Sequence, residues 1–279
     1  MEITHLLLMK KYISTFKQFE GLELLRASFT TQYFKPHFHE QYALILLEHG
    51  QVDYSYKNNV RVMESGSIML LNPYEVHTGK SVNGEPWHFR SMYISQDLFY
   101  QVYQNLTQKS HHPAFAEAEL ADEAFVQLFS KVHEYLLSET DEAIARTVVI
   151  ELLETLVGLC SFESLDADPG KTEEKAAAIK AYLDQNYLEQ IRLNELEKEL
   201  GFSKYSLIRS FESVYGLSPI RYTINLRIEE AKRLLYSGMK YTEVAYSTGF
   251  YDQSHFIRHF KMIVGVTPKA FSKAKNEGH

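Results

Sequence analysis

The sequence predicts an α+β protein in which a small β-barrel with flanking helices precedes an all-helical region. Short alternating or apolar runs separated by turn residues, typical of a barrel, occupy the first part of the chain. Two amphipathic helical patterns follow, and the C-terminal part repeats one two-helix unit at an offset of 48 to 49 residues. A chain of 279 residues with 45% hydrophobic residues is long enough for two such cores.

The barrel is predicted from the order of its strands and turns. Strands are expected at Tyr42–Glu48, Val52–Tyr56, Ser67–Leu71 and His88–Ile94. Turns are expected at Asn58-Asn59, Asn72-Pro73 and Asn83-Gly84. Strand alternation alone does not say which residues point inward, because a register error of one residue reverses every side chain.

Two helices are predicted after the barrel, at Glu123–Ser138 and Glu142–Phe162. Part of their apolar surface, including Phe125 and Phe129, is expected to cover the barrel. The longer helix adds Val149, Leu153 and Val157 to its stripe, and this face is wide enough to pack against a second copy of the chain as well.

A polar segment with the turn signal Pro169-Gly170 is expected to separate two domains. The predicted organisation is a β-barrel domain with flanking helices over residues 1–162, a linker over 163–174 and a helical domain over 175–279. The distribution of charged residues differs between the same two parts of the chain. Residues 171–279 hold 17 Lys and Arg against 13 Asp and Glu, whereas residues 1–170 hold 12 against 23, so only the helical part is basic.

The repeat predicts two helix-turn-helix units. Gly201-Phe202, Gly216 and Pro219 recur as Gly249-Phe250, Gly265 and Pro268. Gly201 and Gly249 are suited to the positive φ of the turn, and Ser203 and Asp252 are the expected N-caps of the helices that follow. Pro219 is expected to open one long helix that joins the units and ends near Ser237-Gly238.

The second helix of each unit has an apolar stripe and a polar outer face. The stripes contain Leu207, Phe211 and Val214, and Phe256, Phe260 and Ile263. The other faces carry Lys204, Tyr205, Ile208 and Arg209 in the first unit and Gln253, Ser254, Arg258 and Lys261 in the second. An arginine fork suits the two acceptors of guanine in the major groove, although any amphipathic helix has a charged solvent face. Two such helices on one rigid spacer predict binding to successive major grooves of double-stranded DNA.

From Ala176 to Phe271 these residues resemble the C-terminal domain of the AraC/XylS family of bacterial transcription regulators. The resemblance rests on Arg227, Ala231, Leu234-Leu235, Val244-Ala245, Gly249-Phe250, Asp252, Ser254, Phe256, Arg258, Phe260-Lys261, Gly265 and Thr267-Pro268. It implies base contacts from Tyr205, Arg209, Gln253, Ser254, His255 and Arg258. Ile208 stands where some members have a polar residue, so the first unit is expected either to read fewer bases or to contact a thymine methyl. The resemblance also implies a homodimer, a bias toward activation and RNA polymerase as a partner.

The barrel carries two half-motifs that resemble a cupin, the usual sensory domain of this family. They are Pro36-His37-Phe38-His39 followed by Gly50, and Gly66-Ser67-Ile68-Met69-Leu70-Leu71-Asn72-Pro73 followed by His77. The resemblance implies a pocket for a small-molecule effector, and a small polar metabolite such as a sugar is expected. The candidate lining residues are His37, His39, Tyr42, His77, Trp87, Arg90 and Tyr93.

Other interpretations of the histidines remain open. Three imidazoles, His37, His39 and His77, suit a transition metal, but Ala43 stands where a cupin site would have a carboxylate. Hydrogen bonding at the barrel rim is a further alternative. We assign no metal and no cofactor at this point. One alternative function is a metal-binding cupin enzyme or metal sensor with an attached DNA-binding domain. Another is a constitutive architectural DNA-binding protein with an empty barrel.

Several classes of protein are disfavoured by composition. Cys160 is the only cysteine, which excludes an intramolecular disulfide and fits a reducing compartment. The apolar run at residues 6–9 is too short for a signal peptide or a membrane span. We expect a cytoplasmic regulator without membrane contact and without enzymatic activity.

Overall fold

The computed structural model describes residues 12–19, 21–30, 32–56, 59–138, 141–164 and 171–276. Its strands are β1 Tyr12–Phe19, β2 Leu22–Phe29, β3 Tyr33–His37, β4 Tyr42–His49, β5 Gln51–Tyr56, β6 Asn59–Glu64, β7 Ile68–Leu71, β8 His77–Ser81, β9 Trp87–Ile94, β10 Pro113–Phe115, β11 Glu119–Leu120 and β12 Phe162–Ser164. Its helices are α1 Gln96–Thr107, α2 Glu123–Leu137, α3 Glu142–Leu159, α4 Lys171–Asn186, α5 Leu193–Leu200, α6 Lys204–Tyr215, α7 Pro219–Tyr236, α8 Tyr241–Ser247, α9 Gln253–Val264 and α10 Pro268–Asn276.

The N-terminal barrel consists of two facing antiparallel sheets. One has the order β1-β2-β9-β4-β7-β11 and the other β3-β8-β5-β6. Side chains of the larger sheet alternate between two cores, so that Leu25 and Leu47 face the smaller sheet whereas Leu24 and Leu46 face the helices. The four predicted strands are confirmed, and so is the α+β class.

Helices α1, α2 and α3 cover the outer face of the larger sheet. Asp122 and Asp141 cap α2 and α3 by accepting backbone N–H groups of the first turns. Burial of Phe125 and Phe129 confirms that this surface covers the barrel. Val149, Leu153 and Val157, which were expected to widen the apolar face of α3 for a second copy of the chain, are instead buried in this core. Its larger exposed apolar side chains are Ile144 and Leu159.

The C-terminal part contains the two predicted helix-turn-helix units, α5–α6 and α8–α9. Gly201 and Gly249 adopt φ of 71° and 74° at the turns. Ser203 accepts the backbone N–H of Ser206, and Asp252 accepts that of His255, so both predicted N-caps are confirmed. Helix α7 joins the units from Pro219 to Tyr236, also as predicted.

The barrel packs against both helix-turn-helix units. Phe38 contacts Tyr222 with ring centroids 4.9 Å apart and belongs to the core of the first unit. Phe29 shares a core with Phe260 and Phe271 of the second unit. A Cβ placed on Gly265 would lie 2.9 Å from the Phe29 ring, so the absence of a side chain permits this close approach. The barrel and the helical part therefore form a continuous packed structure.

The predicted linker, residues 163–174, lies partly outside the described residues. Within it, β12 reaches Ser164 and α4 begins at Lys171. β12 pairs with β10, which ties residues 162–164 to the N-terminal part. Among the described residues, no helix is long and apolar enough to cross a membrane.

Candidate functional site

The second helix of the first unit, α6, carries the residues predicted to contact DNA near its N-terminal end. Leu207 and Phe211 are fully buried and fix its inner face. Lys204, Tyr205 and Arg209 are exposed, and Tyr205 has 73% of its surface accessible. Ile208 is half-buried. The Arg209 guanidinium makes no ion pair with a described residue, so it is available to an external partner.

The equivalent helix of the second unit, α9, exposes Ser254, Arg258 and Lys261. Gln253 and His255 are half-buried. Gln253 Nε2 donates to the Thr242 carbonyl oxygen at 3.4 Å, and the His255 ring lies 4.5 Å from that of His259. Burial, with a further contribution from Arg258, lowers the pKa of His255, so its imidazole is neutral near pH 7.

Arg227 secures the turn that aims α9. Its Nε and Nη2 donate to the carbonyl oxygens of Tyr187 and Glu189 at 2.6 Å, and its Nη1 donates to that of Gly249 at 2.5 Å. The guanidinium thus binds the segment before α5 to the turn between α8 and α9. Arg227 has a structural role that orients the two units relative to each other.

A pocket lies between the barrel sheets and the helices of the C-terminal part. The space between its walls, including open solvent at its mouth, is about 880 Å³. Its walls are mainly apolar and include Leu25, Phe34, Ile45, Val52, Met69, Phe89, Ile263, Val264 and Phe271. His37, His39, His77, Trp87 and Tyr93 also line it, so the structure brings together five of the seven predicted residues.

Tyr42 and Arg90 lie elsewhere, and their assignment to the pocket is corrected. Tyr42 is buried in the core under the helices, where its hydroxyl donates to the Pro113 carbonyl oxygen at 2.5 Å. Arg90 forms ion pairs with Glu48 at 2.6 Å and Glu134 at 2.7 Å. The residues next to Tyr42 and Arg90 in their strands point to the opposite face of the sheet, because successive side chains of a strand alternate between the two faces.

The three histidines form one cluster at the polar end of the pocket. β3 and β8 place His37 opposite His77, and His39 lies two residues after the end of β3. The ring centroids are 4.3 to 5.2 Å apart, and one ring nitrogen from each lies within 4.8 Å of the others. Burial lowers the pKa of His77 to about 4. Burial, together with the nearby His77 ring, also holds the pKa values of His37 and His39 well below the usual range. All three are therefore neutral.

Hydrogen bonds orient two of these rings. His37 Nδ1 lies 2.8 Å from the Lys35 carbonyl oxygen, and His77 Nδ1 lies 3.0 Å from that of Glu75. Each Nδ1 must carry the proton to donate, which leaves each Nε2 as a free lone pair. His39 Nδ1 is buried without a hydrogen bond to a described residue and lies 3.8 Å from Glu229 Oε1.

A buried ionic triad adjoins the histidines and joins the two parts of the protein. Lys232 Nζ lies 3.2 Å from Glu23 Oε1 on β2 and 3.2 Å from Glu229 Oε2 on its own helix, α7. Burial opposes the Lys232 charge, but Glu229 and Glu23 together raise its pKa above the ordinary value. Burial raises the pKa of Glu23 despite Lys232.

Sequence reasoning missed Glu23, Glu229 and Lys232 as pocket residues. A glutamate and a lysine spaced three residues apart on a helix are typical of a solvated face. The available signal was that Glu229 and Lys232 fall next to Ile228 and Ala231 on the buried side of α7. Contact between α7 and the barrel arises only in the tertiary structure.

Comparisons with known proteins agree with this architecture. Residues 20–153 match the family profile described as an AraC-like ligand binding domain, and residues 196–274 match a helix-turn-helix domain. The chain is 29% identical over 235 residues to the uncharacterized HTH-type transcriptional regulator YbfI of Bacillus subtilis, covering 84% of this chain and 85% of that one. It is 24% identical over 249 residues to the HTH-type transcriptional activator RhaS of Pectobacterium carotovorum, covering 85% and 87%.

Solved structures give the same result for the fold. ToxT from Vibrio cholerae O395 superposes with a TM-score of 0.58 at 17% identity, covering 92% of this chain and 98% of ToxT. A structure of ToxT bound to an unsaturated fatty acid gives a TM-score of 0.57 at 16% identity, covering 96% and 99%. An effector-binding barrel is thus followed by a tandem helix-turn-helix that binds DNA. The chain belongs to the AraC/XylS family of transcription regulators.

Proposed function

We propose that this regulator senses an amphipathic molecule in the pocket between the barrel and the helical part, and that occupancy changes how the reading helices engage DNA. The observation that carries the proposal is the composition of the pocket wall. Barrel residues such as Phe34 and Trp87 and C-terminal residues such as Ile263 and Phe271 line one cavity. A ligand that contacts both parts favours one arrangement of them, and such coupling amounts to about 1–3 kcal/mol.

The wall chemistry favours a hydrocarbon body with one polar end over a sugar. A sugar would leave most of its hydroxyl groups facing carbon, which is costly without hydrogen bonds. The polar end of the ligand would meet the histidine cluster. A second polar contact is offered by Trp87 Nε1, which lines the pocket and is buried without a hydrogen bond to a described residue. ToxT, which shares the fold, was solved with an unsaturated fatty acid and with a naphthalenyl butenoic acid. Both are apolar bodies with one acidic end.

Thermal shift measurements on the intact protein test the effector class. Amphipathic acids and alcohols should raise the melting temperature more than sugars do. Ile45→Trp, which fills the pocket, should abolish the shift. Tyr42→Phe is the matched control, because Tyr42 lies in the other core and its loss of a hydroxyl should leave the shift unchanged. Stabilisation by sugars that survives Ile45→Trp would refute this pocket assignment.

DNA reading is proposed for Tyr205, Ile208 and Arg209 on α6 and for Gln253, Ser254, His255 and Arg258 on α9, with Lys204 and Lys261 on phosphates. The exposed arginines on equivalent helices support this assignment. In vitro selection of duplexes by the intact protein, with and without effector, tests it. Recovered sites should contain two elements about one helical turn apart. Failure to enrich any duplex would overturn the proposal.

We further propose a cytoplasmic activator that works as a homodimer and contacts RNA polymerase. The names of RhaS and of the VirF activator of Yersinia enterocolitica support activation. Exposed Ile144 and Leu159 on α3 supply an apolar surface for dimerisation. Sedimentation of Ile144→Glu and Leu159→Glu tests the dimer, and transcription with purified polymerase tests activation. No step of this function requires catalysis by the barrel.

Metal sensing is a second candidate function, favoured by the histidine cluster. Three neutral imidazoles with two oriented Nε2 atoms match the donor set of a zinc or related site. Elemental analysis after dialysis should detect a stoichiometric first-row metal that is lost in His37→Ala and His77→Ala. His133→Gln, a change at a buried histidine outside the cluster, should retain it. If the protein retained no zinc after it had been loaded with zinc and dialysed, this candidate function would be excluded.

A further inference from the structure

A second groove lies where the barrel meets the second reading helix. Lys35 and Pro36 of β3 form one wall, α7 contributes Arg221, Ile224 and Asn225, and α9 contributes Arg258, His259, Met262 and Ile263. The space along the groove, including open solvent on its exposed side, is about 810 Å³. It is separate from the effector pocket, although Ile263 lines both.

The charged side chains that the structure describes in this groove are all positive. Lys35, Arg221 and Arg258 are exposed, and none of them makes an ion pair with a residue that the structure describes. None of the described residues that line the groove carries a carboxylate. Three unpaired cations on one concave surface repel one another, so their arrangement favours a polyanion that neutralises them.

Hydrogen bonds hold the barrel wall of the groove close to α7. The backbone N–H of Phe38 donates to Asn225 Oδ1 at 3.3 Å, and Asn225 Nδ2 donates to the Arg221 carbonyl oxygen at 2.8 Å. Asn225 is buried and belongs to the groove floor. Lys35 therefore stands beside α9 on a fixed strand.

The position of Arg258 identifies the polyanion. A helix lying in a major groove runs between two phosphate backbones, so cations beside that helix meet phosphodiesters. We propose that this groove receives the DNA backbone next to the base step read by α9, and that Lys35 of the sensory barrel is itself a DNA contact. This inference rests on the proposed reading role of Arg258.

Strand β3 then links the two ligands of the protein. The Lys35 carbonyl oxygen accepts the Nδ1–H of His37, and His37 lines the effector pocket. An effector that turns the His37 ring displaces the backbone that carries the Lys35 side chain. Effector occupancy would thereby act on a phosphate contact directly, as well as through the orientation of the helices.

The test is a salt titration of binding to the selected duplex by the full chain. Lys35→Gln and Arg221→Gln each remove one phosphate contact, so the slope of log K against log salt should fall by about 0.9 in each. If the variant and the parent bind equally at 1 M salt, this difference in slope makes the variant bind roughly eightfold more weakly than the parent at about 0.1 M salt. Lys35→Arg should retain the parent slope. Lys131→Gln removes an exposed barrel lysine on α2 and serves as the control for net charge.

The outcomes separate this inference from the proposed function. If Lys35→Gln matches Lys131→Gln in slope while Arg258→Ala loses base preference, the groove does not bind DNA and the reading role stands. Tighter binding by Lys35→Gln would also overturn the inference, because the Lys35 side chain would then oppose binding instead of contributing a phosphate contact. If the parent chain binds no duplex, the proposed function fails first.

A chemical probe gives an independent measurement. Lys35→Cys carrying an iron chelate should cleave the duplex backbone beside the element that Arg258 reads. Burial raises the pKa of Cys160 to about 12, so the native thiol reacts slowly with the reagent. Cleavage absent at that position, or spread evenly along the duplex, would overturn the inference.

Discussion

Lys232 Nζ, on the helix that joins the two helix-turn-helix units, lies 3.2 Å from Glu23 Oε1 of the β-barrel, and both side chains are less than 10% exposed. This pair is one of the buried contacts that couple the sensory and DNA-binding parts. Lys232→Met would leave the carboxylates of Glu23 and Glu229 buried without a cation. The expected cost is about 3–5 kcal/mol, measured as a lower urea midpoint.

The control for this change is Lys80→Gln. Lys80 pairs with Asp53 at 3.3 Å, but its side chain is 56% exposed, so the expected cost is below about 1 kcal/mol. Adding Glu23→Gln and Glu229→Gln to Lys232→Met should recover part of the loss. Equal midpoints for Lys232→Met and Lys80→Gln would show that the triad does not stabilise the fold.

The paired turn glycines give a second prediction. Gly201 and Gly249 occupy equivalent positions with positive φ, but a Cβ on Gly201 meets open space. A Cβ on Gly249 collides with the Leu188 carbonyl oxygen and lies 3.1 Å from the Arg227 guanidinium carbon. Gly201→Ala should cost about 1 kcal/mol and Gly249→Ala roughly 2–4 kcal/mol. Thermal unfolding of the two variants checks the difference, and equal losses would contradict it.

The reading arginines give a third prediction. Arg209→Ala and Arg258→Ala should each weaken specific binding by roughly 1–3 kcal/mol and relax preference at separate positions about one helical turn apart. Lys261→Ala should weaken binding to all sequences alike. Site selection with each variant measures the preference. If both arginine variants recovered the parent site, base reading would belong to other residues.

Acid stability gives a fourth prediction. His133 on α2 is fully buried, with Nε2 3.2 Å from the Ser91 carbonyl oxygen, and burial lowers its pKa to about 4. The unfolded chain binds the proton near pH 6.5, so the folded state loses stability as pH falls from about 6.5 to about 4. This shift corresponds to about 3 kcal/mol.

Replacing His133 isolates its contribution from those of the other histidines. His133→Gln keeps a donor for the Ser91 carbonyl oxygen but cannot titrate. The variant should lose less stability than the parent between pH 6.5 and 4 in urea unfolding at fixed ionic strength. Parallel stability curves for the two proteins would show that His133 protonation is not coupled to unfolding.

Local signals predicted the secondary structure because each acts within a few residues. Ser203 and Asp252 cap the helices that they precede, and Pro219 opens α7. The strand runs that contain Tyr42 and Arg90 were also recognised, yet both residues were assigned to the wrong face. Alternation has a period of two and carries no mark of which side holds the ligand.

The amino-acid sequence by itself determined the duplicated DNA-binding unit, its caps and turns, and the order of barrel and helices. The tertiary structure alone decided that Lys232 and Glu229 meet Glu23 and His39, and that Lys35 of the barrel stands beside Arg258. The physical reason is the distance along the chain over which each kind of interaction acts. Propensity and periodicity act along one turn or one strand, whereas these contacts join residues about two hundred positions apart and exist only once the two cores pack together.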